Sequence, residues 1–149
     1  MKISNKGLDL IKDFEGLYLT AYVCPAGLNT IGWGTTRING RPVRSGLKIT
    51  KSQAEEYLLK DLEVFERGVM TLLGNIVINE NQFSALVSFS YNVGLTALRN
   101  STLLRVIKRN PNDAEIRNQF MRWTRASGII LNGLVRRRKS EADLYFSIV

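Results

Sequence analysis

The sequence contains no histidine and only one cysteine, Cys24, and both scarcities limit the chemistry open to the chain. Without histidine there is no imidazole base, no His–Asp couple and no histidine-ligated metal. A single cysteine forms neither an internal disulfide nor a cysteine zinc cluster. We therefore expect no metal and no cofactor, and any catalysis must rest on carboxylates, hydroxyls, amides and one thiol.

Long apolar runs are also missing. The first 16 residues are interrupted by lysines and acidic residues, and the longest apolar stretch, 128–135, ends at Arg136. No run reaches the roughly 18 residues of a membrane-spanning helix, and the N-terminus lacks the apolar region of a signal peptide. The sequence predicts a soluble polypeptide made in the cytoplasm, with no stable membrane association.

Acidic residues are few relative to basic ones: 13 Asp and Glu stand against 21 Lys and Arg, a formal charge of +8. This charge favours an anionic partner, which could be nucleic acid, a lipid surface or an acidic polymer such as a cell wall. An equally valid interpretation is that the charge only keeps a small protein in solution. Because no nucleic-acid recognition motif is present, we expect no nucleic-acid partner.

Hydrophobic patterning predicts an α+β protein with a small antiparallel sheet near the N-terminus. Residues 17–36 have the composition of a hairpin, and residues 38–43 are expected to add a third short strand. We expect a single domain, 1–149, with two lobes joined by a long helix. The β-rich lobe covers 14–50, the helical lobe covers 1–13 plus 75–149, and the connecting helix covers 51–73.

Capping signals place the helices. Residues 4–15 form an amphipathic helix capped by Ser4 and ended by Gly16, and Thr50 with Gln53 forms the capping box of the helix over 51–73. Everything after residue 50 is expected to be helical. Four further helices are predicted to start at Asn79 with Gln82, at Asn100 or Ser101, at Asn112 with Glu115, and after Gly133.

The stretch from Glu15 to Gly34 carries the most informative pattern. Five residues separate Cys24 from Thr30, which is a hairpin-loop length, so these two residues are expected to lie nearly opposite each other. Alternation of side chains predicts two faces. The polar and aromatic face holds Tyr18, Thr20, Tyr22, Cys24, Thr30, Gly32, Gly34 and Thr36. The core face holds Leu17, Leu19, Ala21, Val23, Ile31 and Trp33.

A polar face of tyrosine, threonine and exposed glycine backbone suits a sugar, although a solvent-facing sheet whose glycines permit twist has the same pattern. Glu15 favours the sugar, because it lies at the predicted end of the first helix, nine residues before Cys24. The negative end of a helix disfavours a carboxylate. That position, with partial burial against Phe14, favours the protonated acid that a glycosidase requires.

At this point the chain resembles a known family. Glu15, eight residues, Cys24, five residues and Thr30 reproduce the catalytic spacing of the phage-type lysozymes or endolysins, glycoside hydrolase family 24. Many members have aspartate at position 24, and a subset has cysteine, as here. The resemblance continues in order through TIGWGTT at 30–36, FSYNVG at 89–94, NSTLL at 100–104, Arg122-Trp123 and GLVRRR at 133–138.

The resemblance implies a lysozyme-like fold with an active-site cleft between the lobes. It also implies hydrolysis of the β-1,4 bond between N-acetylmuramic acid and N-acetylglucosamine in peptidoglycan. Glu15 would protonate the leaving oxygen, and Cys24 and Thr30 would handle the attacking water. The geometry would be inverting, with roughly 6.5–9.5 Å between the catalytic groups. Either Cys24 is shifted towards thiolate, or it shapes the water site while Thr30 orients the water, or it is a small buried thiol without a role.

Other site residues follow from the same resemblance. Gly34 and Asn92 would line the sugar cleft, and Arg137 would pair with Glu15. For Asn92 the alternative is an amide that satisfies a helix terminus, and for the arginines a solvated basic end. Trp33 is expected to lie in the core by strand parity, and Trp123 to serve packing.

Bacterial peptidoglycan is the implied partner, and the chain is expected to be a monomer. A holin, the pore-forming protein of such lysis systems, is expected to release the enzyme through the membrane of the host bacterium. Two other functions stay open from the residues alone. One is a lytic transglycosylase, which needs the same acid but no water. The other is a non-catalytic basic module that binds wall polymers or nucleic acid.

Overall fold

The computed structural model describes residues 1–149 as seven α-helices and six short β-strands. Their bounds are α1 (Asn5–Glu15), β1 (Tyr18–Val23), β2 (Asn29–Gly32), β3 (Arg37–Ile38), β4 (Arg41–Pro42), α2 (Lys51–Leu73), α3 (Glu80–Val93), α4 (Leu95–Arg99), α5 (Thr102–Arg109), α6 (Glu115–Met121), β5 (Arg125–Ala126), β6 (Ile129–Ile130) and α7 (Asn132–Tyr145). The strands form three separate antiparallel pairs, β1–β2, β3–β4 and β5–β6. The α+β class is therefore confirmed. None of the helices combines the length and the apolar character needed to span a bilayer.

The chain forms two compact units, one of residues 11–64 and one of residues 1–10 with 65–149. The core of the first unit comprises Ile11, Ile31, Trp33, Val43, Ile49, Ala54, Leu58 and Leu62. The core of the second comes mainly from α3, α5, α6 and α7, and its largest members include Phe83, Phe89, Leu103, Phe120 and Tyr145. In this core Trp123 packs edge-on against Phe89, with ring centroids 5.4 Å apart, so the packing role predicted for it is confirmed.

The predicted helix caps are largely confirmed. The Ser4 Oγ accepts a hydrogen bond from the backbone N–H of Gly7 at 3.2 Å. Asn79 and α3 form the predicted capping box, and Gly94 ends this helix with φ at 95°. Ser101 caps α5 by accepting from the N–H of Leu104 at 3.0 Å. These side-chain caps are local contacts between residues three apart, which is why the sequence pattern suffices to place them.

Four elements differ from the predictions, and one is the five-residue helix α4, for which no start was predicted. Residues 38–43 do not add one strand: β3 and β4 form a hairpin of their own, whose turn has Asn39 at φ 51° and Gly40 at φ 76°. The region after residue 50 is not wholly helical, because β5 and β6 form a second such hairpin around Ser127 and Gly128. Helix α6 begins at Glu115 with Ala114 as its N-cap, so the predicted start at Asn112 is wrong.

The two small hairpins share one contact, a hydrogen bond from an arginine side chain to the carbonyl oxygen of the turn glycine. In the first, the guanidinium of Arg37 donates to the carbonyl oxygen of Gly40 at 3.2 Å. In the second, the guanidinium of Arg125 donates to the carbonyl oxygen of Gly128 at 3.1 Å. An Asn-Gly or Ser-Gly pair with positive φ matches the twist of two antiparallel strands, so each turn closes over two residues.

Candidate active site

Glu15 is the last residue of α1 and is half-buried. The helix stops there because Gly16 adopts a φ of 72°, and the N–H of Gly16 donates to the carbonyl oxygen of Lys12 at 3.0 Å. Glycine takes this left-handed conformation without the penalty that a side chain imposes. The sequence therefore fixes the Glu15 carboxyl at the C-terminal end of a helix, three residues before the first strand.

The register of the first hairpin differs from the prediction. Tyr22 lies opposite Thr30, and Val23 lies opposite Asn29. The N–H of Cys24 donates to the carbonyl oxygen of Leu28 at 2.9 Å. The expectation that Cys24 and Thr30 face each other is therefore wrong by two positions. The reason is the turn, which needs only residues 25–27, because Gly27 takes a φ of 81°.

The predicted faces of the hairpin are only half correct. Ile31 and Trp33 are buried as expected, but Leu17, Leu19 and Val23 are exposed. Strand β1 uses its other edge to bind residues 47–49: the N–H of Ile49, for example, donates to the carbonyl oxygen of Leu19 at 2.9 Å. No other element packs over the outer face of β1, and the alternation of its side chains gives no sign of this.

The two glycines of the polar face, Gly32 and Gly34, differ in how far their backbone is exposed to solvent. Gly32 is buried, and a Cβ at this position would lie 3.4 Å from the Cβ of Ala54 on α2. Its backbone therefore packs against this helix and is not open to a ligand. Gly34 is half-buried at a φ of 104° in the turn that Ile31 and Thr35 close with two backbone hydrogen bonds of 2.9 Å. Of the two, Gly34 remains the candidate for contact with a ligand.

Thr35 also connects this turn to α2. Its Oγ1 donates to the Oδ2 of Asp61 at 2.7 Å. Burial raises the pKa of Asp61 above its ordinary value, and the hydrogen bond from Thr35 acts in the opposite direction. The partly buried carboxyl of Asp61 thus holds the turn that contains Gly34 against α2.

Cys24 and Thr30 form a chemical pair although they are not opposite each other. Thr30 is 3 % exposed, and its Oγ1 donates to the carbonyl oxygen of Leu28 at 3.1 Å. A hydrogen bond from the Thr30 side chain is the largest influence that lowers the pKa of Cys24, followed by the backbone at Leu28. A hydroxyl donates one hydrogen bond at a time and its hydrogen can rotate, so the Thr30 hydroxyl can donate either to this carbonyl or to the sulfur.

Cys24 is half-exposed, so the burial expected in the third interpretation of this thiol is wrong. It has the properties of a reactive cysteine, namely solvent access and a pKa lowered below its usual value by hydrogen bonding.

Tyr22 is a residue of the site that the sequence reasoning did not single out. Its ring lies 4.1 Å from that of Tyr18, centroid to centroid. Burial raises the pKa of Tyr22, and the charges of Tyr18, Cys24 and Glu15 raise it further, in that order. The Glu15 carboxyl and the Cys24 thiol therefore both act electrostatically on one phenol. The placement of Tyr22 on the polar face was the available signal.

Arg137 and Asn92, the other predicted site residues, lie in the unit of residues 1–10 and 65–149. Arg137 is 3 % exposed on α7, so the interpretation of the arginines as a solvated basic end is wrong for it. Its Nη2 donates to the carbonyl oxygen of Ser88 at 3.1 Å, and its Nε pairs with Glu141 at 3.3 Å. Asn92 is exposed near the end of α3, and its Oδ1 accepts from the guanidinium of Arg138.

Glu141 organises these side chains, and the sequence reasoning did not identify it. Fully buried, it pairs with Arg138 at 2.8 Å and accepts a hydrogen bond from the Oγ of Ser88 at 2.6 Å. Burial raises the pKa of Glu141, while Arg138, Arg137 and Ser88 counteract this effect. The spacings of three and four residues from the two arginines on one helix were a signal for these pairs. No group of three acidic or cysteine side chains converges so as to hold a metal ion.

Comparison with known proteins identifies the family. The Phage lysozyme family matches residues 12–141. The endolysin of Bacillus phage B103 is 41% identical over 149 residues, covering 99% of this chain and 55% of that protein. Endolysin from Escherichia coli O157:H7 phage FAHEc1 superposes with a TM-score of 0.90 at 44% identity, covering 98% of this chain and 94% of that one. The muramidase domain of SpmX from Asticaccaulis excentricus does so with a TM-score of 0.87 at 34% identity, covering 99% of both chains.

The chain spans about half the length of the Bacillus phage endolysins that it matches, 55% and 56% of the two. The predicted lysozyme-like fold is confirmed by the two superpositions. The family match covers most of the chain, from the end of α1 to the middle of α7. This chain belongs to the phage lysozyme family.

Proposed function

We propose that the chain is an endolysin that hydrolyses the β-1,4 bond between N-acetylmuramic acid and N-acetylglucosamine in bacterial peptidoglycan and thereby lyses the host cell. Its family and its similarity to proteins named endolysin and muramidase support lysozyme activity. The observation that carries the proposal is the place of Glu15 at the end of α1, directly before the hairpin that holds Cys24 and Thr30, with Glu15 and Cys24 both acting electrostatically on Tyr22.

The proposed reaction needs an acid on one side of the glycosidic bond and a water-binding group on the other. Glu15 gives its proton to the leaving oxygen. Cys24 and Thr30 hold the attacking water, and the lowered pKa of Cys24 makes the thiolate available as a base for that water. The C–O bond to the leaving sugar breaks as the water oxygen binds the anomeric carbon, and the product is a new reducing end of inverted configuration.

Substrate contacts are assigned to Gly34, Asn92 and Arg137. Gly34 can bring its backbone close to a sugar because it carries no side chain. The exposed amide of Asn92 can hydrogen-bond an acetamido group. Arg137 is buried, so its contribution would be a fixed positive potential more than a flexible contact.

We further propose that the enzyme acts as a monomer, is made in the cytoplasm of the host bacterium and reaches the wall through a holin. The formal charge of +8 suits an anionic wall.

Product analysis in ¹⁸O-labelled water tests the reaction. Purified peptidoglycan digested by the wild-type chain should yield muramic acid reducing ends that carry one ¹⁸O. A transglycosylase would leave anhydro ends that lack one water and carry no label. Glu15→Gln should lower the rate by about 10²–10⁴-fold, because it removes the general acid. Asp13→Asn, two residues earlier on the same helix, is the matched control and should retain the rate. Absence of soluble fragments with the wild-type chain would overturn the proposal.

A further inference from the structure

The guanidinium of Arg138 connects α7 to the end of α3. Arg138 is fully buried, its Nη1 pairs with the Oε1 of Glu141 at 2.8 Å, and its carbon centre lies 5.0 Å from the ring of Phe89. Its Nη2 donates to the Oδ1 of Asn92. Because the pair with Glu141 and the aromatic ring hold the guanidinium in one orientation, the position of its remaining N–H groups is also fixed.

This contact fixes which way round the Asn92 amide lies. An arginine has only hydrogen-bond donors, so the atom of Asn92 that faces it must be the carbonyl oxygen. The Nδ2 group therefore points away from Arg138, and the side chain of Asn92 is exposed. In this structure no protein group accepts a hydrogen bond from Nδ2, so its two hydrogens are available to a ligand.

The choice of an amide at this position is informative. Arg138 keeps its full positive charge beside Asn92, because an arginine guanidinium stays protonated. An aspartate at position 92 would bind the Arg138 guanidinium more strongly than an amide does, since charge-assisted hydrogen bonds are the stronger kind. What asparagine supplies and aspartate does not is the pair of outward N–H donors.

We propose that Arg138 is a positioning residue that directs the Nδ2 group of Asn92 towards an amide carbonyl oxygen of the substrate. The inference rests on the proposed function, and it specifies which chemical group of the wall is recognised there. Two groups of peptidoglycan present such an oxygen: the N-acetyl group of the sugars and the carbonyls of the peptide stems. An ether or hydroxyl oxygen accepts hydrogen bonds less well, so the N-acetylated or peptide-bearing polymer is preferred over a plain glucan.

The test replaces Asn92 by Asp, which keeps the acceptor for Arg138 and removes both donors. The variant should be at least as stable as the wild type in thermal unfolding. On peptidoglycan its KM should rise by about 10-fold, the value of one lost hydrogen bond, with kcat changed by less than about twofold. Arg138→Lys, which frees the amide to rotate, should raise KM by a smaller factor in the same direction.

Two substrates and a binding measurement separate the outcomes. A KM penalty of Asn92→Asp that persists on glycan strands stripped of peptide identifies the acetamido oxygen, and a penalty confined to intact peptidoglycan identifies the stem. The same variant in the inactive Glu15→Gln background should lose affinity for the preferred polymer by the same factor. An active wild type with an unchanged KM and affinity in Asn92→Asp would overturn this inference alone. A wild-type chain that neither cleaves nor binds the wall would overturn the proposed function together with it.

Discussion

The Thr30 hydroxyl is the largest influence that lowers the pKa of the Cys24 thiol, and it acts from a position diagonal to Cys24 across the first hairpin. Replacing Thr30 by Val removes the donor while keeping the shape of the side chain. The pKa of Cys24 should then rise, because its thiolate loses its strongest hydrogen bond. The rate of alkylation by iodoacetamide, followed from pH 6 to pH 10, measures the shift directly, since Cys24 is the sole cysteine.

Two variants control this experiment. Thr30→Ser keeps a hydroxyl and should leave the pH midpoint of alkylation close to that of the wild type. Thr20→Val changes an exposed threonine of the neighbouring strand and should not move the midpoint either. An equal midpoint in Thr30→Val and the wild type would show that the hydroxyl does not stabilise the thiolate.

The stability of the unit of residues 11–64 should depend on the ionisation of Asp61. The pKa of Asp61 is raised by burial in the folded chain, so ionisation at neutral pH lowers the free energy of unfolding. The stabilising contribution of the protonated acid is complete below its unfolded pKa and is lost as the pH rises through its folded pKa. Asp61→Asn should therefore be more stable than the wild type at pH 7, and the difference should disappear near pH 3. Urea unfolding at both pH values measures it.

Removing Thr35, the hydrogen-bond partner of Asp61, should lower the free energy of unfolding at pH 7, whereas Asp61→Asn should raise it. Thr35→Val deletes the donor that lies 2.7 Å from Oδ2 and favours the ionised form. Stability should fall at pH 7 and fall less at pH 3, where the acid is neutral. A Thr35→Val penalty of the same size at both pH values would contradict this assignment.

Gly7 is a helix residue that does not tolerate alanine. A Cβ at this position would lie 2.8 Å from the Cβ of Ser84 and 2.7 Å from the Cγ1 of Ile3. The Ser84 Cβ is bonded directly to the backbone of α3, so a rotation of that side chain cannot relieve the contact. Alanine normally stabilises a helix over glycine, but overpacking of this size costs about 1–3 kcal/mol. Gly7→Ala should lower the free energy of unfolding accordingly.

The matched control is Gly133→Ala on α7, where the nearest atom to an added Cβ is the Nη2 of Arg136 at 3.8 Å. With space available, this change should raise the free energy of unfolding by up to about 1 kcal/mol. Denaturant unfolding of the two variants compares them, and a Gly7→Ala protein as stable as Gly133→Ala would be inconsistent with the close contact to Ser84.

Wall lysis should weaken as salt rises. The charge of +8 attracts the chain to an anionic polymer, and this attraction is screened beyond a Debye length of about 10 Å at 0.1 M salt. The initial rate of turbidity loss should therefore fall between about 0.02 and 0.3 M sodium chloride. A rate of wall lysis that stays equal across this salt range would argue against electrostatic attraction to the wall.

The parts of the fold that are predictable from sequence are those that local contacts determine. The Thr50 and Gln53 capping box is found as predicted, with Gln53 N–H donating to the Thr50 Oγ1 at 3.1 Å. The two short hairpins escaped prediction because each strand has only two residues, too few for an alternating pattern. The start of α6 was misplaced because Asp113, not Asn112, accepts the N–H of Glu115 at 2.9 Å.

The candidate site shows the same division. The position of Glu15 at the end of α1 followed from Gly16, since a glycine with positive φ ends a helix by local geometry. The Tyr22–Thr30 pairing did not follow, because the five residues between Cys24 and Thr30 accommodate either a five-residue or a three-residue turn. Glu141 was missed although its spacing from Arg137 and Arg138 on α7 was visible, because its partner Ser88 meets it only when α3 and α7 pack.

The buried cluster of Arg137, Arg138 and Glu141 has a consequence for how this protein can vary. Replacing Glu141 alone removes the carboxylate that both arginines share, and replacing either arginine by an apolar residue removes a partner of a buried carboxylate. Single apolar replacements at these positions should therefore destabilise the fold. The three positions should covary as one unit among related sequences.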